Sequence, residues 1–150
     1  MKFSEIQETQ WEELRPYLDT CLLPVTGLRG TEAPWQAASE LERLRDALDL
    51  LEIPFKGRTV TYPAIHFVPS SSGEAFLGET CGKLKEAGFR YVVIVTAKSG
   101  EELVLNPEEL GGKADLLLRF TPEELRQSAS DAKRRATEEV MALWSGRQTL

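Results

Sequence analysis

Apolar positions along this chain follow two rhythms. In "FRYVVIVTA" (89–97) the apolar run is nearly continuous, as in a strand buried on both faces of a parallel sheet. From Pro34 to Leu51, by contrast, Trp35, Ala38, Leu41, Leu44, Leu48 and Leu51 recur at spacings of three and four, with Glu42, Arg43, Arg45, Asp46 and Asp49 at other angles. That spacing predicts one face of a helix, stopped by Pro54. "YLDTCLLPV", "GRTVTYP" and "ADLLLRF" read as further strands, and Leu103-Val104-Leu105 as a short strand-like piece. A first helix is predicted over Ser4 to Leu14, capped by Ser4 with Gln7 three residues on, and ended by Pro16. Another is predicted from Glu74 to Ala87, closed by Gly88. The last begins at Thr121-Pro122-Glu123-Glu124, with Glu124 completing a capping box, and ends at Gly146. Its buried face is Leu125, Ala129, Ala132, Ala136, Val140, Leu143 and Trp144.

Strands alternating with helices predict an α/β fold, a three-layer αβα sandwich with a mostly parallel sheet of four to five strands. Residues 1–150 fit a single α/β domain. "AIHFVPSSSGEAFLGET" (64–80) is then a long Ser-, Gly- and Pro-rich connection. Ser70-Ser71-Ser72 and the last few residues are the candidates for disorder. Trp11, Trp35 and Trp144 are expected in the core, and oligomeric state is left open.

Composition narrows the function classes. Hydrophobic residues make up 41% and charged residues 28%, the balance of a soluble globular protein. No apolar stretch reaches the ~20 residues of a membrane span. The acidic start "MKFSEIQETQWEEL" lacks a signal peptide's apolar core, so a cytoplasmic location is expected. A net charge of −6 argues against a nucleic-acid surface. Lys133-Arg134-Arg135, followed by Glu138 and Glu139, reads as a solvated helix face. Cys21 and Cys81 stand too far apart for a cysteine metal motif and read as buried free thiols.

Candidate chemistry belongs at the carboxyl ends of the strands, where ligands sit in open α/β sheets. That rim spans 26–32, 62–78, 96–100 and the Phe120-Thr121 junction. The candidate ligand-binding residues on it are Thr26, Gly27, Arg29, Gly30, Glu32, His66, Glu74, Thr96, Lys98 and Ser99. No catalytic residue, metal ligand or cofactor is assigned. "GLRG" falls short of a dinucleotide fingerprint, and neither a P-loop nor a nucleophile elbow is present. One His cannot build a histidine-based zinc site. His66 reads as a satisfied, partly buried imidazole, or else as an acid/base. Glu74 and Glu79 are solvated helix residues or a carboxylate pair. Asp19 and Arg58 are a structural ion pair or an anion site, and "TAKSG" (96–100) is a polar turn or an anion-binding one.

Several pieces in order resemble the creatininase family of metal-dependent amidohydrolases: "LLPVTG", "YPAIHF", Phe76-Leu77-Gly78-Glu79-Thr80 and "EAGFRYVVIVTAKSG", over roughly 17–100. The resemblance implies a creatininase-like or flavodoxin-like scaffold. It also implies Glu and His metal ligands in the first turn and a His-containing turn after the third strand. Here the first turn offers only Glu32, and the later one is Ala97-Lys98-Ser99-Gly100. "YLDTCLLPV", "KGRTVTYPAIHF" and "GFRYVVIVTA" are also similar to an uncharacterised YpiF-like group of small Bacillus-type proteins. That likeness implies an accessory role beside a menaquinol–cytochrome c reductase. The expected function is a non-catalytic protein on a degenerate creatininase-like scaffold, binding a protein partner or a small metabolite. The alternatives are a nucleotide- or anion-binding module using the 26–30 and 96–100 turns, and a divergent hydrolase using His66, Glu32 and Glu74.

Overall fold

Five strands form one all-parallel sheet in this computed structural model, which describes residues 1–110 and 113–146. The strands are β1 (Thr20–Leu28), β2 (Thr59–Thr61), β3 (Ile65–Phe67), β4 (Tyr91–Thr96) and β5 (Leu116–Arg119). The helices among the described residues are α1 (Glu8–Leu14), α2 (Pro34–Glu52), α3 (Gly73–Glu86), α4 (Pro107–Leu110), α5 (Pro122–Gln127) and α6 (Ala129–Trp144). The strand order is β2-β1-β4-β5, with β3 also on β1. The architecture is the expected three-layer α/β sandwich.

Alternation explains why β1 and β4 read as continuous apolar runs. Leu22, Val93 and Val95 join one core with α2 and α6. Their neighbours Cys21, Leu23, Val92 and Ile94 join a second core with α3 and Leu110 of α4. Successive side chains point to opposite faces of a strand, and both faces are covered.

β2 and β3 are two halves of one edge strand, interrupted at Tyr62-Pro63-Ala64. β2 pairs with Thr20–Leu22 and β3 with Val25 and Leu28. Pro24 explains the gap. Tyr62 N–H donates to Leu22 O, so the Leu22 backbone faces this edge. Pro24, two residues on, faces the same way and has no N–H to offer, so the partner strand breaks opposite it. The sequence had placed residues 65–67 in the long connection. Three residues, two of them exposed, carry too little pattern to mark a strand.

β1 also runs further than expected, taking in Thr26 and Gly27, which had been read as part of a turn. Gly27 has φ +76°, and the β1–β3 register shifts between Val25 and Leu28. A glycine in the left-handed region lets the strand bulge there without ending.

Other boundaries moved for local reasons. The first predicted helix divides into a 3-10 turn at Phe3–Glu5 and α1, with the Gln10 side chain accepting from Gln7 N–H. The last splits at Ser128, which is extended and whose side chain caps α6 by accepting from Asp131 N–H. Thr121 caps α5 by accepting from Glu124 N–H, but the Glu124 carboxylate binds Arg135 and not the cap backbone. Residues 103–105 form no strand. Trp11 and Trp144 pack against the cores, whereas Trp35 is 72% exposed on the open first turn of α2. Of the C-terminal residues expected to be disordered, 147–150 lie outside the described residues. No described helix is long and apolar enough to cross a membrane.

Candidate functional site

The winding of the chain reverses between β1 and β4. β1 leads through α2, on one face, to β2 at the edge. β4 leads through α4, on the other face, to β5 at the far side. The crevice outside the carboxyl ends of two such strands is where doubly wound sheets hold ligands. Here it is a groove of three adjoining parts. The largest, about 730 Å³, lies among Gly27, Arg29, Phe67, Glu102, Leu103 and Val104. The next, about 430 Å³, shares Arg29 and Glu102 and adds Thr31, Glu32, Gln36 and Lys98. The last, about 190 Å³, shares Glu32 and Gln36 and reaches Trp35.

Glycines set the shape of its floor. A side chain at Gly27 would press on Lys98 Cγ at 3.3 Å and on Leu103, so the β1 backbone and the 98–103 turn approach closely. Gly30, with φ +96°, then turns the chain toward α2.

Most charged groups along the groove are engaged by the protein itself. The Glu32 carboxylate accepts from Arg29 N–H (2.9 Å) and Gly30 N–H (2.9 Å). Those backbone bonds hold its pKa below the ordinary glutamate range. Glu102 likewise accepts from Ser99 N–H (3.1 Å), which lowers its pKa, while its own N–H donates to Ser99 Oγ. Lys98 Nζ pairs with Glu40 at 2.8 Å, both side chains largely buried, and lies 3.9 Å from Glu102. Glu40 also accepts from Arg43 at 3.0 Å. Arg119 donates to the carbonyls of Lys98, Ser99 and Leu103, fastening that turn to β5. Burial lowers the Arg119 pKa.

Turn backbones with converging N–H groups make anion sites. In both turns singled out from the sequence, the chain's own carboxylate occupies that position: Glu32 in the first and Glu102 in the second. Arg29 is different. Its guanidinium makes no hydrogen bond or ion pair among the described residues, and it lines two parts of the groove.

The structure therefore brings together Gly27, Arg29, Gly30, Glu32, Lys98 and Ser99. Thr26 and His66 form a separate pair, Oγ1 to Nδ1 at 2.9 Å; His66 is satisfied as expected but exposed. Thr96 Oγ1 accepts from Lys98 N–H. Glu74 stands apart, accepting from Asn106 N–H at the start of α3, and Glu79 pairs with Lys83, so the two do not form a carboxylate dyad. Asp19 and Arg58 make a two-point ion pair with Arg58 stacked 4.0 Å over Trp144, at the amino end of the sheet and away from the groove. The basic cluster is only partly a solvated face, since Arg135 turns inward to Arg119 O, Glu124 and the Phe120 ring. Among the described residues, no three His, Cys, Asp or Glu side chains gather to hold a metal ion. Both cysteines are buried and free, and burial pushes the Cys81 thiol up to about 11.

Sequence reasoning missed Glu40, Glu102, Arg119 and Phe67. Glu40 left a signal, since it sits four residues before Leu44 on the stripe that continues to Leu48 and Leu51. A carboxylate on a buried stripe needs a cation. Arg119 left one too, as the charged end of an otherwise apolar strand.

Comparison with curated proteins and with solved structures finds no match. A family match covers residues 9–139, from within α1 through most of α6. The chain belongs to that family, described as proteins of unknown function, DUF2487.

Proposed function

We propose that this chain is a non-catalytic binding protein that takes a protein partner along the groove at the carboxyl ends of β1 and β4. One observation carries the reading. The groups able to do acid/base chemistry there are tied into internal pairs, while the groove is flanked by exposed apolar side chains and an uncommitted arginine. Trp35 (72% exposed), Phe67 (59%) and Val104 (76%) stand at its ends, with Arg29 between. Aromatic residues and arginine are the side chains that most often anchor protein interfaces. The chain's own carboxylates on the turn N–H groups weigh against the anion-binding alternative. The creatininase-like resemblance supports the same reading: it implies Glu and His ligands in the turn after β1, and that turn offers only Glu32, whose carboxylate is bound to backbone N–H groups of the same turn. Buried free thiols suit a reducing compartment, in keeping with a cytoplasmic protein.

The test is affinity purification from the native cell. A stoichiometric partner is expected, retained by Tyr17→Ala with Ile53→Ala and lost with Trp35→Ala and Phe67→Ala at unchanged thermal stability. Turnover of an ester, amide or phosphoester that Lys98→Met abolishes would overturn the proposal.

A further inference from the structure

The geometry points to a second binding site, between the N-terminal segment and the edge strand, for the head of a quaternary ammonium compound. Thr61 N–H donates to Met1 O at 2.8 Å, which lays the start of the chain along β2. The chain then leads into α1, and a pocket of about 270 Å³ lies between these residues and Val60 of β2. That volume is just below the ~300 Å³ at which sites for drug-sized ligands begin, so it fits a head group and not a large molecule. The pocket shares no lining residue with the three parts of the rim groove.

Its lining specifies a cation. Phe3, Trp11, Tyr62 and Phe89 all border the pocket. Tyr62 and Phe89 stand 5.2 Å apart at 88°, Trp11 and Phe89 6.0 Å apart at 51°, and Phe3 and Tyr62 6.5 Å apart at 48°. Face-to-face stacking would hide the ring faces, and none of these pairs stacks. Phe3 is 47% exposed, and Trp11 and Tyr62 are half-buried, so three of the rings present surface to a ligand. The face of an aromatic ring carries negative charge density and attracts cations. Among the described residues no Lys or Arg lines the pocket, and its one charged side chain is Glu8. Glu8 is exposed, and its carboxylate makes no hydrogen bond or ion pair among the described residues. A primary ammonium would give up hydrogen bonds to water on entering a site with so few acceptors. A quaternary one has no N–H to satisfy, so rings and carboxylate attract it without that cost.

Three probes with one hydroxyethyl tail separate the outcomes. They are choline, 3,3-dimethyl-1-butanol, which has the same shape with carbon in place of the charged nitrogen, and ethanolamine, the primary counterpart. Each is titrated into the full ¹⁵N-labelled chain while the three indole N–H signals are followed. We expect choline to bind tightest and to shift Trp11. Trp144, whose indole donates to Thr20 Oγ1, and Trp35, on the rim, should stay in place. Phe3→Leu keeps an apolar side chain but removes a ring from an exposed position. It should weaken choline about threefold, the scale of an exposed cation–π contact, and leave dimethylbutanol unchanged. Glu8→Gln should weaken choline and flatten its salt dependence. The inference is overturned if dimethylbutanol binds as tightly as choline, which would mean apolar filling alone, or if ethanolamine binds tightest, which would mean simple attraction to Glu8. It is equally overturned if Phe3→Leu leaves choline unaffected, if Trp35 shifts as Trp11 does, or if Trp11 does not shift.

Discussion

The Lys98–Glu40 pair is the strongest test of whether the groove's charges serve structure. The two groups meet at 2.8 Å with side chains only 13% and 16% exposed, at the junction of α2 with the turn after β4. Removing one partner of a fully buried pair costs about 3–5 kcal/mol, because the other charge is left unpaired. Residual exposure here lets water reach the survivor, and Arg43 and Glu102 stand close enough to compensate in part. We therefore expect Lys98→Met and Glu40→Gln each to cost about 2 kcal/mol, below the fully buried range. The double variant should lose less than the sum, with a coupling energy of about 1–2 kcal/mol. Urea unfolding of the four proteins gives these numbers as midpoint shifts at constant m. Single variants within about 0.5 kcal/mol of the parent, the range of ordinary surface changes, would refute the reasoning and release Lys98 for another role.

Further outcomes follow from other groups. Thr61→Val, which removes a buried hydroxyl without a partner, should stabilise the free protein by about 1 kcal/mol in the same assay. Arg119→Met removes three hydrogen bonds to carbonyls and should speed amide exchange at Leu103, whose N–H donates to Ser99 O, more than at β4 amides. The folded Glu32 carboxyl titrates below its ordinary value of 4.5, so its stabilisation is present above that value and is lost as pH falls through the folded pKa. The Arg29 and Gly30 amide resonances should follow that transition, and Glu32→Gln should remove it. Cys21 and Cys81 should be inert to Ellman's reagent at pH 8 in the native protein and react together in denaturant, because burial raises both thiols.

What the sequence made legible follows from how each element is held. β4 and α2 announce themselves because two-sided burial and a helical stripe leave long patterns. β3 is three residues long with two of them exposed, so little local pattern marks it. The split at Ser128 was hidden because Ser128 falls inside an apolar spacing that continues across it, and only the cap on Asp131 N–H reveals the break. Glu32, Lys98 and Arg29, named from the rule about carboxyl ends of strands, line the groove that lies there. Their engagement was not legible. Glu32 binds backbone N–H groups of its own turn, and Lys98 pairs with Glu40 from a different element, which no spacing along the chain encodes.

The central claim, that the carboxyl rim is a protein-binding face, is tested most directly by photo-crosslinking in the native cell. A benzoylphenylalanine placed at 35, 67 or 104 samples the groove. The same group at 17 or 53 samples the amino end of the sheet at matched exposure: 71% for both Tyr17 and Ile53, against 72% for Trp35 and 76% for Val104. The account predicts one adduct of common mass from all three rim positions and none from the other two. Adducts from positions 17 and 53 as readily as from the rim, or none from the rim at all, would contradict it.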